Sequence, residues 1–455
     1  MTNDFCACDG THPPVYLYGR FDSPFVPQRI VLPSFAGART GSFATNAYYM
    51  LDSIAMLAIP LFVVGGQLVE KSGIANVLIE VGDRLLRKVK GGMAAAIPVV
   101  SCFFGAMCGS ALATANTLAT AMAPDMVKKG WDKRYVAALI AASSPMGFMI
   151  PPNVNAIVFS TAVSGASVGE LFMSTIIPAI IWTGLYLLIN RLIYTQYYDP
   201  TKRSDYVSEK VETGEATVMS FRDGGAEDGS LYTENRAQFW VKLLVAVGLA
   251  VLTLGGIYGG IFTATEAGAI MCLYATLAGL LIYKNIKVSQ LFGIFKKGAK
   301  DVSVLVVLFP MTMIFSRILT LNHVPEMFSE LVLSLTTNKV LIILMIDLLL
   351  FILGFFIDGN VIILTVVPML APIAAAIGVS TVQLAVIVFV AIGIGAITPP
   401  MATCLLACSR ICDVSVREML KPILPFLLFG AVPTMLLVSF VPALSEWLPA
   451  LLCGA

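Results

Sequence analysis

The sequence predicts an all-α polytopic membrane protein made of two inverted repeats, each with a re-entrant hairpin and a proline-broken helix. Three observations predict it. The chain of 455 residues is 58% hydrophobic and only 13% charged, with a mean hydropathy of +0.86. A soluble chain carries about 25% charged residues. Apolar runs that approach or reach the roughly 20 residues of a membrane-crossing helix recur along it. They cover 55–69, 172–193, 239–257, 267–282, 302–318, 340–357 and 424–441. Finally, one interruption inside the apolar sequence is written twice, as GFMIPPN at Gly147–Asn153 and as GAITPP at Gly395–Pro400.

The duplication extends well beyond the interruption. Pro124, Gly130, Gly147, Pro151, Pro152, Ser167, Val168 and Glu170 match Pro372, Gly378, Gly395, Pro399, Pro400, Ser415, Val416 and Glu418, each pair 248 positions apart. Upstream, Pro60 and Gly109 pair with Pro310 and Gly359 at an offset of 250. Duplicated halves with Gly/Pro-interrupted helices at matching positions are the pattern of a secondary carrier whose site lies at the interruptions.

In chain order, residues 1–46 form a polar tail rich in Pro and Gly, without the charged-then-apolar pattern of a signal peptide. The first repeat covers 47–194. Residues 195–236, with eight acidic side chains between Asp205 and Glu234, read as a solvated cytoplasmic linker. Connecting helices and an amphipathic basic segment fill 237–300, and the second repeat covers 301–455.

Loop charge sets the orientation. Arg84, Arg87, Lys88 and Lys90 precede the apolar segment 93–123, and Lys128, Lys129, Lys133 and Arg134 follow it. Positive loops stay cytoplasmic, so this segment starts and ends on the same side. It is too short for two crossings and a turn, which predicts a re-entrant hairpin with its tip at Gly109–Ser110. In the second half, the arm 322–337 has no Lys or Arg and the loop 378–383 has no charge. The hairpin 340–376, with its tip at Asp358–Gly359–Asn360, is therefore expected to enter from outside. Arg410, Arg417 and Lys421 return the chain to the cytoplasmic side. Opposite entry makes the repeats inverted, as alternating access requires.

The chemistry is expected at the interruptions. Proline lacks an N–H, so each Pro-Pro pair frees carbonyls one turn earlier. Carbonyls freed at membrane depth are ligands for a hard cation such as Na+. Asn153, Asn155 and Thr398 add side-chain oxygens, and the tips add Ser110, Asn116, Thr117, Asp358, Asn360 and Thr365. Helix N-termini at the tips favour an anion. The alternative is that each Pro-Pro pair is a packing kink. Other classes are weaker. A net charge of +1 suggests no nucleic-acid partner, and two histidines leave little for a His-based centre. There is no HExxH and no cofactor motif, so an enzyme is not expected. Cys404, Cys408 and Cys412 share one helical face and read as small packing residues.

The ordered segments GSALATANTLATAMAPDM (109–126), AALIAASSPMGFMIPPN (137–153), GGIYGGIFTATEAGAI (255–270), ILTVVPMLAPIAAAIGV (363–379) and IGAITPP (394–400) resemble the large permease subunit of TRAP transporters, the DctM-like family. The resemblance spans about residues 47–447. It implies an elevator-type fold in the ion-transporter superfamily and Na+-driven uptake of C4-dicarboxylates or other small carboxylates across the bacterial inner membrane. It implies two partners, a periplasmic substrate-binding protein and a small four-helix membrane subunit. By the same resemblance, one sodium site falls on Gly109, Ser110, Pro151, Pro152 and Asn153. The other falls on Asp358, Gly359, Asn360, Thr398, Pro399 and Pro400. Asn155, Thr117 and Arg317 are the candidates for substrate contact. Family members begin with a further membrane helix, and the tail 1–46 is expected to stand in its place. Two alternatives stay open: a stand-alone carrier of the same superfamily, and a non-transporting membrane scaffold.

Charges inside apolar runs complete the list. Arg317, near its helix end, is read as snorkelling or as attracting an anion. Asp347, in LIILMIDLLLFIL, is either a packing partner or a coupling site. Glu266 is read as a cap or pairing residue.

Overall fold

The computed structural model describes residues 48, 52, 54–86, 91–163, 165–199, 236–400 and 402–453. The tail 1–46, most of the linker (200–235) and the basic side chains at 84–90 lie outside the described residues, and so do the expectations placed on them. Among the described residues the architecture is helical, and one isolated bridge, Trp131 with Tyr198, is its only β-type pairing.

The first half runs α1 (Ile54–Ser72), α2 (Ile74–Leu86), α3 (Gly92–Cys108), α4 (Ala111–Lys128), α5 (Lys133–Ser143), α6 (Met146–Met149), α7 (Val154–Ala162), α8 (Val168–Ser174) and α9 (Ile176–Ile193). Then come α10 (Arg236–Tyr258), α11 (Ala264–Leu277) and α12 (Val288–Leu321). The second half continues with α13 (Val324–Leu335), α14 (Lys339–Gly354), α15 (Gly359–Thr365), α16 (Val367–Ala376), α17 (Thr381–Gly395), α18 (Thr403–Cys412), α19 (Val416–Phe426), α20 (Val432–Phe440) and α21 (Ala443–Cys453).

Five helical stretches are long and apolar enough to cross a bilayer: 168–196, 238–258, 264–282, 288–321 and 416–440. Two further pairs pass together but are bent, 133–149 with 154–162 by 52° and 359–365 with 367–376 by 58°. The hairpin α3–α4 precedes the first bent pair, and the hairpin α14–α16 contains the second.

Local chemistry sets the helix ends. Gly130 and Gly378, the matched residues after α4 and α16, both take left-handed backbone, with φ of +95° and +69°. Such a turn suits glycine. Glu266 closes a capping box at the start of α11, its Oε2 accepting from the Thr263 amide at 2.8 Å and hydroxyl at 2.9 Å. Ser415 and Glu418 do the same at α19. The first residues of the expected linker are ordered: the Asp132 amide donates to the Tyr197 carbonyl at 2.9 Å, and the Asp199 amide to the Gly130 carbonyl at 3.1 Å. Helix α12 runs unbroken for 34 residues, so a boundary at residue 300 falls inside it. At 1.5 Å per residue this helix is about 50 Å long, well beyond a hydrocarbon core of about 30 Å. Its basic first turns therefore extend past the apolar layer. Helices α10 to α12 leave Leu244, Val251, Leu273, Val307 and Met311 exposed, an apolar surface suited to lipid.

Candidate functional site

Each hairpin is seated on a broken helix by a pair of glycines. In the first half, α3 packs on α6, and a Cβ added to Gly105 would lie 2.1 Å from the Gly147 Cα. In the second half, α14 packs on α17, and a Cβ added to Gly395 would lie 2.2 Å from the Gly354 carbonyl oxygen. No real side chain tolerates such distances, so the two backbones touch at both places. Gly147 and Gly395 stood out in the sequence. Their partners Gly105 and Gly354 did not, although both lie in the arms that lead to the tips.

At the first tip, α3 ends at Gly109, whose φ is +61° and whose amide donates to the Gly105 carbonyl at 2.8 Å. A Cβ here would meet the Pro152 carbonyl oxygen at 2.3 Å, so the tip rests directly on the break. Ser110 caps α4, its Oγ accepting from the Ala113 amide at 3.4 Å. Its carbonyl accepts from the Thr114 hydroxyl at 2.8 Å. Thr114 in turn covers Gly147. Asn153 is buried and caps α7, its Oδ1 accepting from the Ala156 amide at 2.6 Å, while its Nδ2 has no partner. Gly109, Ser110, Pro151, Pro152 and Asn153 are thus neighbours across one junction. There the C-terminal ends of α3 and α6 meet the N-terminal ends of α4 and α7. Among the described residues, the carbonyls of Gly147 and Phe148, which an unbroken helix would pair with residues 151 and 152, accept no hydrogen bond.

The second tip is capped by Asp358 rather than by Gly359. The Asp358 Oδ1 accepts from the Asn360 amide at 2.9 Å and from its Nδ2 at 3.2 Å, and the Asn360 Oδ1 has no partner. Ser110 and Asp358 are therefore the equivalent caps, 248 positions apart. This corrects the pairing of Gly109 with Gly359 at 250: α3 closes on a left-handed glycine, whereas residues 355–357 turn before Asp358. Gly359 lies against the Ile392 side chain. The second break is closed on itself. The Gly395 carbonyl accepts from the Thr398 amide at 3.2 Å and the Ala396 carbonyl from the Cys404 amide at 3.0 Å. Thr398 Oγ1 donates to the Ile394 carbonyl at 2.7 Å. Among the described residues no hydrogen bond joins Asp358 or Asn360 to Thr398, Pro399 or Pro400. Both Pro-Pro bonds, Pro151–Pro152 and Pro399–Pro400, are cis.

The halves interlock. Helix α4, after the first tip, packs on α18, after the second break, and α15, after the second tip, packs on α7, after the first break. The Cys408 Sγ faces the Ala115 carbonyl at 4.0 Å in the first of these contacts. Thr117, on α4, has a buried hydroxyl without a partner. Asn155 is half-buried in the first turn of α7, and Arg317 is exposed one turn before the end of α12.

Residues 26–444 match the family described as tripartite ATP-independent periplasmic transporter, DctM component. The chain is 33% identical over 402 residues to the uncharacterised protein YgiK of Salmonella typhimurium, covering 88% of this chain and 86% of that one. It is 31% identical over 401 residues to the isethionate TRAP transporter permease protein DctMQ of Oleidesulfovibrio alaskensis, covering 88% of this chain but only 59% of that longer relative. It is 28% identical to the C4-dicarboxylate TRAP transporter large permease protein DctM of Pseudomonas aeruginosa, over 90% of this chain and 89% of the other. The crystal structure of the Alcanivorax borkumensis YdaH transporter, of unusual topology, superposes with a TM-score of 0.61 at 17% identity over 90% of this chain and 88% of that one. That likeness concerns the fold alone.

Proposed function

The chain belongs to the DctM family of tripartite ATP-independent periplasmic transporters, multi-pass membrane permeases, and from that membership we propose that it is the Na+-coupled permease subunit of an importer of small organic anions. A periplasmic binding protein delivers the anion, and a small four-helix membrane subunit completes the complex in the bacterial inner membrane. The observation that carries the reading is the first junction, where a hairpin tip rests on a broken helix with two carbonyls unspent.

The junction separates charge preferences by helix polarity. The C-terminal ends of α3 and α6, with the Gly147 and Phe148 carbonyls, favour a cation. The N-terminal ends of α4 and α7, capped by the neutral side chains of Ser110 and Asn153, favour a carboxylate. A bound Na+ draws these ends together and prepares the anion site beside it, with Thr117 and Asn155 within the same two helices. The second tip, with Asp358 and Asn360, forms the other Na+ site after its break opens. The two hairpins enter from opposite faces, and the interlocked helices α4, α7, α15 and α18 slide as one unit. Two of the relatives named above are named as transporters of isethionate and of C4-dicarboxylates; the shared feature is a small anion, which is the substrate class proposed here.

Thermal unfolding of the purified chain in NaCl against choline chloride at equal ionic strength tests the cation sites. A ligand that binds only the folded state raises its stability. A Na+-specific rise that disappears in Asn153→Ala is the expected result. An identical midpoint in both salts overturns the assignment.

A further inference from the structure

Away from both tips, Asp347 is buried in the middle of α14, 5% exposed, in a helix otherwise apolar after Lys339. It is seven residues before Gly354, about 10 Å along the helix axis. The Ser439 hydroxyl, from α20, donates to its Oδ1 at 2.9 Å. Among the described residues the Oδ2 has no hydrogen-bond partner. Gln383, from α17 and 1% exposed, meets the same serine. Its Nε2 donates to the Ser439 carbonyl at 2.9 Å and to the Val438 carbonyl at 3.1 Å.

These two bonds use both hydrogens of the Gln383 amide and fix its orientation, because the reverse placement would set an oxygen against two carbonyls. The Gln383 Oε1 is thereby left as a buried acceptor with no donor among the described residues. Two orphan acceptor oxygens, on Asp347 and Gln383, are therefore held by one residue, Ser439. The neighbours supply no positive charge. The helices packed on α14 are α15, α17 and α20. None of them contains Asp, Glu, Lys, Arg or His. Titratable groups stand at the ends of α14 and α15, Lys339 and Asp358, and on α21, which packs on α17, stands Glu446. The last accepts a hydrogen bond from the Ser380 hydroxyl at 2.5 Å. The Ser380 Oγ also accepts from the Gln383 backbone N–H at 3.1 Å, capping α17.

A carboxylate charge with no cation at membrane depth is costly, and so is each buried acceptor without a donor. One hydrogen removes the charge and supplies the missing donor. We propose that Asp347, Gln383 and Ser439 form a binding site for one proton, carried on the Asp347 Oδ2 and donated towards the Gln383 Oε1. The proton comes from solvent; an O–H bond forms on Oδ2 and the carboxylate becomes a neutral acid. The site is separate from the tip sites and stands whether or not those bind Na+. If the hairpins slide as proposed above, the protonated form is the one that carries α14 through the apolar layer.

Difference infrared spectroscopy of the purified full-length protein at neutral pH, in choline chloride and in NaCl, tests this without using transport. The expected result is a carboxylic-acid carbonyl band that Asp347→Asn lacks, unchanged by NaCl. Gln383→Leu, which removes the acceptor, is expected to move the band to higher frequency. A wild type without the band overturns the proposal, as does a band retained in Asp347→Asn. A band abolished by NaCl would make the ligand Na+ and also overturn it. Should Asp347→Asn fail to fold, an unshifted band in Gln383→Leu is sufficient to reject the site.

Discussion

The two breaks share a sequence pattern and differ in how their backbones are spent. At the first, among the described residues, the Gly147 and Phe148 carbonyls accept no hydrogen bond and the Asn153 Nδ2 has no partner. At the second, the Gly395 and Ala396 carbonyls are taken by Thr398 and Cys404. The first tip is capped by a serine, with a long contact of 3.4 Å, and the second by an aspartate held at 2.9 Å. Equivalent elements thus stand in two conditions, one with open ligands and one self-satisfied. Two copies of one unit in different conditions are what an alternating carrier needs, and the difference can be tested one residue at a time.

The largest effects are expected where the copies agree. Gly105→Ala and Gly395→Ala each force a methyl into backbone at 2.1 and 2.2 Å. Overpacking a tight contact costs about 1–3 kcal/mol, occasionally more, and these contacts lie at the severe end. Both variants should unfold at clearly lower temperature than the wild type and lose any Na+ response. A glycine contact that tolerates alanine in one half only would mean that the hairpins are not seated alike.

Next in size is Asn153→Ala, where the copies differ. Loss of the cap on α7 costs about 1 kcal/mol, and the Na+-dependent rise in the unfolding temperature should vanish with it. Asp358→Asn keeps an oxygen for the Asn360 amide, so its stability in choline should match the wild type. Its Na+ response should shrink without disappearing, because the first junction is already open. If instead Asp358→Asn abolishes the response and Asn153→Ala leaves it, the order of the two sites is reversed.

Much of this was legible in the sequence. Doubled Pro-Pro pairs mark the breaks because proline removes donors wherever it stands. Loop charge and segment length indicate the hairpins, and the Thr263–Glu266 spacing indicates a cap. What escaped depends on contacts between distant segments. Gly105 and Gly354 look like any glycine in an apolar run until the opposing helix is known. Likewise, Gln383 reads as the end of an uncharged loop, and only the fold places it on α17 and brings it to Ser439, which also meets Asp347. The tip register was misread by two residues for a local reason: a left-handed Gly109 closes one hairpin and a short turn closes the other.

The smallest expected effect concerns the closed break. Thr398→Val removes the hydroxyl that donates to the Ile394 carbonyl at 2.7 Å and leaves the shape almost unchanged. The Ile394 carbonyl belongs to a helix end, so the cost is that of one hydrogen bond, about 0.5–1.5 kcal/mol. The backbone bonds from the Thr398 and Cys404 amides remain. If those bonds keep the second break closed, Thr398→Val should lower the unfolding temperature slightly and leave the Na+ response near that of the wild type. A large loss of the Na+ response would show that the Thr398 oxygen is itself a ligand, and the second break would then be as open to the ion as the first.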